Sequence, residues 1–264
     1  MIKSNDDVQK LQDDVSKLNK WTDEWLLKLN FEKCKKMSVG TTPDNEYNVG
    51  DGANRRKIEV VKEEKDLGIF VTEDLKWNVQ CSKAASKAMM ILGMIRRTFK
   101  QLNKELFLTL YGTYVRPHME FCVQAWSPYY QKDIAILERV QQRATKMVKC
   151  IGKLDYQDRL RYLGLFSLER RRRRGDLIET FKILKQFDNI DLDQLFERST
   201  TINLRGHKLK LFKKRVSTTS RRNFFSQRVI NDWNDLPEEV VEASTVESFK
   251  KRLDKHMNSS RYGQ

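Results

Sequence analysis

Arg139, Arg143 and Lys146 recur at steps of four and three, so a helix would place all three on one side. Ile134, Leu137, Val140, Ala144, Met147 and Val148 keep the same spacing on another side. An element with one apolar face and one cationic face can lie along a polyanion. The same pattern describes a core helix with a solvated back. The densest positive run is the five arginines at 170–174. Successive helical residues turn by about 100°, so five consecutive arginines cannot all face one partner. Glu169 with Arg173, and Arg172 with Asp176, are spaced to pair within the helix. That leaves Arg170, Arg171 and Arg174 for phosphates, whose contact is blind to sequence and weakens with salt. A merely solvated run is the other reading.

Two further basic clusters follow. Lys208, Lys210, Lys213, Lys214 and Arg215 form one, and Arg221 with Arg222 the other, beside Phe224 and Phe225. Aromatics interleaved with cations can stack on bases. Paired Phe at a helix start more often anchor that helix, so at least one of the two is expected in the core. Trp126, Tyr129 and Tyr130 are assigned mostly to the core for the same reason.

Residues for catalysis are harder to find. Asp6-Asp7 follows Ser4-Asn5 and leads into an apolar-periodic stretch, which is a helix start with acids at the positive end of the dipole. Asp13-Asp14 falls mid-helix on the polar side. There is no Gly-rich phosphate loop, no His-Glu-x-x-His and no Gly-x-Ser-x-Gly elbow. Cys34, Cys81, Cys122 and Cys150 are scattered, as are His118, His207 and His256, so zinc spacing is absent and buried free thiols are expected. His207 has no candidate partner as a ligand. No catalytic residue and no metal site are assigned.

The chain of 264 residues is long enough for one large domain or two small ones. Its 51 basic and 36 acidic residues are unevenly spread. Residues 1–75 hold 13 and 16, a net −3, which leaves +18 beyond them. A basic region attached to a near-neutral one points to a polyanionic partner such as nucleic acid. No stretch has membrane-spanning length and no signal-type apolar segment opens the chain, so an intracellular protein is expected.

The elements that must position these residues read as follows. Residues 6–30 form a helix, with Asn5 as cap and Asn30 as stop. Met37 and Val39 mark a short strand, and 41–54, with Pro43, Gly50 and Gly52, a loop. Residues 57–60 and 67–71 form two strands, expected as a hairpin. From Trp77 onward nearly everything is helical. Helices are expected through Ala84 to Ile95 in sequence, at Leu106 to Tyr114, in the central stretch, around Leu160, and over 168–187. A loop or basic arm is expected over 188–220. Two final helices, about 221–233 and 245–257, are separated by Pro237, with Thr245 and Ser248 at the start of the last. The fold class is therefore mainly α: a helical domain, 76–264, behind a small α+β domain, 1–75.

Residues over almost the whole chain also match a known family in fixed order. They include Val115-Arg116-Pro117-His118-Met119-Glu120, Trp126-Ser127-Pro128-Tyr129, Leu137-Glu138-Arg139-Val140-Gln141 and Arg143-Ala144-Thr145-Lys146. Upstream stand Trp21, Trp25, Asn30, Lys33-Cys34, Met37, Lys65-Asp66-Leu67-Gly68-Ile69 and Leu75-Lys76-Trp77. Downstream stand Tyr156, Arg159-Leu160, Leu163-Gly164-Leu165, Leu168-Glu169-Arg170-Arg171, Arg205-Gly206-His207, Trp233-Asn234 and Leu236-Pro237. The chain resembles the region downstream of the catalytic Asp-Asp turn in LINE-type, jockey/CR1-like retrotransposon reverse transcriptases. The resemblance implies a palm remnant followed by a thumb. It makes Leu67, Gly68 and Ile69 a primer-grip-like turn, with Arg139, Arg143, Lys146, Arg170, Arg171, Arg174, Lys208 and Lys210 on nucleic-acid backbone. The partner is an RNA/DNA duplex held without regard to sequence. Mg²⁺ belongs to the complete enzyme, whose aromatic-Ala-Asp-Asp turn this sequence lacks, so the chain alone is expected to be inactive. Severed from the rest of the palm, it would expose an edge through which it could self-associate. A non-catalytic binding module, an interaction scaffold and a decayed remnant are the alternatives.

Overall fold

A computed structural model describes residues 4–27, 29–40, 45–199 and 206–259. The chain divides into two compact units, Met1–Gln80 and Cys81–Gln264. Pro43 and Arg205, singled out from the sequence, lie outside the described residues.

The first unit opens with helix α1 (Asn5–Glu24). Its cap is Ser4, one residue before the expected Asn5. The Asp7 amide donates to Ser4 Oγ at 3.2 Å and the Ser4 amide donates to Asp7 Oδ2 at 3.1 Å, a reciprocal capping box. The helix stops well before Asn30. Leu26 enters the left-handed region at φ 55° and the Leu27 amide returns to the Thr22 carbonyl at 2.8 Å. Asn30 instead caps a single 3₁₀ turn, Phe31–Lys33.

Among the described residues six short strands follow, in three pairs. β1 (Lys35–Lys36) runs parallel to β4 (Glu59–Val60), and β2 (Asn48–Val49) antiparallel to β3 (Arg56–Lys57). β5 (Glu63–Asp66) and β6 (Ile69–Thr72) form the hairpin. Four expectations are corrected here. Met37 and Val39 lie outside β1. Residues 57–60 split between two partners. The strand opposite 69–72 is the charged segment 63–66, which has no apolar alternation to reveal it. Leu67 and Gly68 are the turn rather than strand. Both have positive φ, 45° and 92°, the arrangement of a type I′ turn.

α1 meets this sheet through amides. Gln12 donates to the Asn48 carbonyl at 2.9 Å and accepts from the Asn48 amide at 2.8 Å, completing β2's edge as a strand would. Asn19 and Thr22 are the buried residues of the helix. Leu11, Leu18, Trp21 and Trp25, at 39%, 52%, 48% and 67% exposure, are left outside.

The second unit is helical, as expected for a mainly α chain. Its helices are α2 (Asn78–Thr98, which starts in the last residues of the first unit), α3 (Lys104–Leu110), α4 (Pro117–Glu120), α5 (Gln131–Thr145), α6 (Tyr156–Leu163) and α7 (Leu168–Leu184). They continue with α8 (Leu192–Leu195), α9 (Thr219–Arg222), α10 (Phe225–Asn234), α11 (Glu238–Val241) and α12 (Val246–Ser259). A π-helical turn, Tyr111–Val115, carries α3 on toward α4. α7 is the pivot. It packs against α5, α10 and α12, and Leu168, Leu177, Phe181, Ile183 and Leu184 are all buried. Phe181 stacks on Phe249 with ring centroids 4.1 Å apart, and Phe249 in turn meets Trp233.

The expected loop or arm over 188–220 is partly core. Phe196 and Leu211 are buried, and Arg198 and Leu211 form an antiparallel bridge. Asn234 clamps Leu211 by accepting from its amide at 2.9 Å and donating to its carbonyl at 2.8 Å. Trp233 Nε1 donates to the Leu209 carbonyl at 2.8 Å. The two expected terminal helices are α10 and α12, with Pro237 opening the short α11 between them. Thr245 Oγ1 accepts from the Ser248 amide at 3.1 Å at the start of α12. Among the described residues no helix is long and apolar enough to cross a membrane.

Leu67 is 88% exposed and held in a conformation that Asn adopts more readily. Leu67→Asn should therefore stabilise the β5–β6 hairpin by about 0.5–1 kcal/mol. Amide hydrogen exchange of residues 63–72 measures this; unchanged or faster exchange would show that the turn is not strained.

Candidate nucleic-acid interface

α5 carries the alternation read from the sequence. Leu137, Val140 and Ala144 face inward, while Met147 and Val148 fall just beyond the helix end. Gln141 shares the buried side as a hydrogen-bond hub. It accepts from Tyr111 Oη at 2.7 Å and its Nε2 lies 2.8 Å from Tyr156 Oη and 3.0 Å from the Phe166 carbonyl. Glu138 joins the same network. It accepts from the Tyr156 hydroxyl and, at 3.0 Å, from the Leu168 amide in the first turn of α7. Burial raises the Glu138 carboxyl above its ordinary pKa, against the lowering effect of those two donors and of Arg172.

Arg139, Arg143 and Lys146 are exposed on the opposite face. Arg139 Nε turns back to the Ala135 carbonyl at 3.2 Å. Arg143 and Lys146 meet a second basic group that the sequence reading did not pick out. Leu102, just past α2, forms a parallel bridge with Val148, just past α5, and the Lys149 amide donates to the Leu102 carbonyl at 2.9 Å. This pins the two helix C-termini side by side. Between them lies a cavity of about 580 Å³. Its apolar wall comes from Met89, Leu92, Phe99, Leu102 and Met147, all buried or half-buried. Exposed Arg96, Lys100, Arg143 and Lys146 supply the charge, and no carboxylate lines it. None of the four makes an ion pair or side-chain hydrogen bond among the described residues.

Helix dipoles favour cations at C-termini and explain part of this cluster. The two termini supply roughly −0.5 elementary charge each, about −1 against four positive side chains. A field of about +3 remains for an anion.

The arginine run behaves differently from its expected role. Arg171 is bound bidentately by Glu120 of α4, with Nη2 to Oε2 at 3.0 Å. Arg174 is bound bidentately by Asp254 of α12 at 2.6 and 2.9 Å. Arg170 lies 4.0 Å over the Phe166 ring and donates to Asn258 at 2.6 Å. These three are staples between helices rather than groups held free for phosphates. The reason is the helical sweep itself: successive arginines turn to different sides, so Arg171 reaches α4 while Arg170 and Arg174 reach α12, whose partner groups are remote in sequence. Arg173 pairs with Glu169 at 3.0 Å as expected. Asp176 pairs with Arg228 at 2.8 and 2.9 Å instead of with Arg172. Arg172 is 97% withdrawn from solvent, 3% exposed, and its two terminal nitrogens find no hydrogen-bond partner.

The later clusters also divide. Lys208 is exposed. Lys210 is half-buried and bonds the Asn234 carbonyl, and burial lowers its pKa. Lys214 pairs with Glu197 at 3.0 Å. Phe225 is core, while Phe224 is 39% exposed beneath Arg221. Trp126 is fully buried, as expected. His207 is buried against Trp233, with Nε2 3.0 Å from the Trp233 carbonyl. The primer-grip-like residues lie in the first unit: Leu67 and Gly68 at the exposed hairpin tip, Ile69 buried at the start of β6.

No family model matches the chain, and no solved structure matches it. An uncharacterized protein of Caenorhabditis elegans is 25% identical over 142 residues, 51% of this chain and 66% of the relative. The chain thus spans just under two thirds of that relative.

Among the described residues, no three His, Cys, Asp or Glu side chains come together to hold a metal. Asp6 and Asp7 sit at the α1 start, and Asp14 pairs with Lys17 at 3.1 Å. The carboxylate set that the resemblance would require for Mg²⁺ is not formed, and no catalytic step is assigned to the ion. All four cysteines are free, but only Cys81 is buried, against the expectation of buried thiols generally. Burial pushes its thiol up to about 12.

Glu138 generates a pH prediction. Its pKa is raised in the folded chain, so its stabilising contribution is present below the unfolded carboxyl pKa and is lost as pH rises through the folded value. Between about pH 4 and pH 7 the melting temperature of the parent protein should fall relative to that of Glu138→Gln. Parallel melting curves across that range would show that this carboxyl titrates normally.

Proposed function

We propose that this chain holds nucleic acid through its backbone, without reading sequence and without catalysis of its own. The second unit is the holding part, and the chain as a whole acts as the downstream portion, palm end plus thumb, of a LINE-type reverse transcriptase. The ligand is a template–primer RNA/DNA duplex. The observation that carries this reading is the group of four unpaired cations, Arg96, Lys100, Arg143 and Lys146, around a cavity lined by no acid. The ordered match over nearly the whole sequence and the excess of +18 beyond residue 75 support it. Among the arginines and lysines expected on the backbone, Arg139, Arg143, Lys146 and Lys208 are exposed and free of ion pairs in the described residues.

A second reading concerns self-association through the first unit. An apolar line on α1 and its C-cap residue is spaced symmetrically about Leu18, with Val15 half-buried and the rest exposed. Leu11 and Trp25 stand seven residues to either side, Val15 and Trp21 three. An antiparallel contact with a second copy would set Leu18 on Leu18 and Leu11 on Trp25, the isologous geometry of a two-fold dimer.

Two measurements test these readings. Fluorescence anisotropy with an RNA–DNA hybrid should give an affinity that falls steeply with salt. Replacing both Arg143 and Lys146 by Ser should reduce the log–log slope by about 1.5, since each phosphate contact contributes about 0.7–0.9. A salt-independent affinity sinks the backbone reading. Sedimentation of the parent chain should show a concentration-dependent dimer that Leu18→Glu dissociates. A monomer at all concentrations sinks the second reading.

A further inference from the structure

The cavity between the ends of α2 and α5 is built for more than phosphate. Phosphates need cations and nothing apolar. Here the cations surround a pocket of about 580 Å³ whose wall is Met89, Phe99, Leu102 and Met147. Unpartnered apolar surface beside unpartnered charge fits a ligand that is flat and apolar on one part and anionic on another.

Gly93 adds an independent observation. It lines the cavity from within the C-terminal part of α2, five residues before the helix ends, where glycine is less favourable than alanine by about 1 kcal/mol. Its φ is not positive, so no turn requires it. A Cβ built there would meet nothing closer than Arg97 Nη1 at 3.9 Å, so packing does not require it either. A flat ligand lying against the helix backbone is what would use the missing side chain.

We propose that this cavity takes one unpaired nucleobase, stacked on Phe99 and laid against Gly93, with its flanking phosphates on Arg96, Lys100, Arg143 and Lys146. The site rests on the backbone-binding reading and deepens it: the chain would hold not only a duplex but the single strand next to it. Base stacking of this kind tolerates any base, because each has a π-face. The methionines adapt to either ring size.

The test uses the full chain and three labelled probes: a single-stranded oligonucleotide, the same backbone without bases, and a blunt duplex. Phe99→Ala should weaken binding of the base-carrying single strand about 5- to 100-fold and leave the abasic strand and the duplex unchanged. Gly93→Leu, which removes no side chain and suits a helix, should do the same by filling the cavity. Phe99→Tyr should restore binding. Circular dichroism melting confirms that each variant is folded. An equal loss on the abasic strand overturns the base pocket, since Phe99 would then only support the cations. No loss from either variant, while Arg143→Ser with Lys146→Ser weakens all three probes, overturns the pocket and leaves the backbone reading intact. Absence of binding to every probe overturns both. Binding to phosphatidylserine vesicles in place of the oligonucleotides, lost in Phe99→Ala, would make the cavity a lipid site and overturn the proposal.

Discussion

A guanidinium taken out of water loses several kcal/mol of solvation unless an anion replaces it. That requirement sorts the basic residues of the second unit into two populations. α7 runs through the middle of the unit with neighbours on several sides, so nearly every arginine on it is drawn into protein. Arg171 reaches Glu120, Arg174 reaches Asp254, and Arg228 of α10 is drawn to Asp176. Each bond joins α7 to a different helix. The densest positive run in the sequence is thereby spent largely on bonds within the fold, and much of its charge is cancelled; Arg172 is the exception, 3% exposed with no hydrogen-bond partner on its terminal nitrogens.

The free charge lies where no carboxylate competes. The bridge between Leu102 and Val148 closes the ends of α2 and α5 against each other, and the cations of both ends gather there. Two negative helix termini make that a tolerable place for Arg96, Lys100, Arg143 and Lys146, yet they balance only about a quarter of the charge. Surface cations held by nothing are screened within about 8–10 Å at ordinary salt. Four of them lining one cavity add their potentials there, which scattered lysines on a helix back do not.

The sequence exposed those features that depend on local pattern. α5 and the second half of α7 were legible because their apolar residues repeat at helical steps, and the Glu169–Arg173 pair because it lies within one helix. Features set by remote contacts were not. The β5 strand consists of Glu63, Glu64, Lys65 and Asp66, and only pairing with β6 makes it a strand. Leu211 and Phe196 lie among charged residues that read as a loop, and become core because Asn234 and α10 receive them. Half of the candidate site, Arg143 and Lys146, was visible as a stripe. The other half, Arg96, Phe99 and Lys100, becomes part of it only through the Leu102–Val148 bridge, which no local spacing announces.

Charge also separates the work of the two units. The hairpin that resembles a primer grip carries Glu63, Glu64 and Asp66 on one strand, with Lys65 as the single cation among them. Such a strand repels phosphate, and the unit around it carries no positive excess. If the hairpin touches nucleic acid, it must do so at its tip, where Leu67 and Gly68 hold the chain in the left-handed region and bring bare backbone forward. A tip of this kind can position a strand end sterically, but it cannot supply affinity. On the proposed reading the affinity would rest on cations of the second unit that carry no ion pair among the described residues, the group at the α2 and α5 ends together with Arg139 and Lys208, rather than on Arg171, Arg173 and Arg174 of α7.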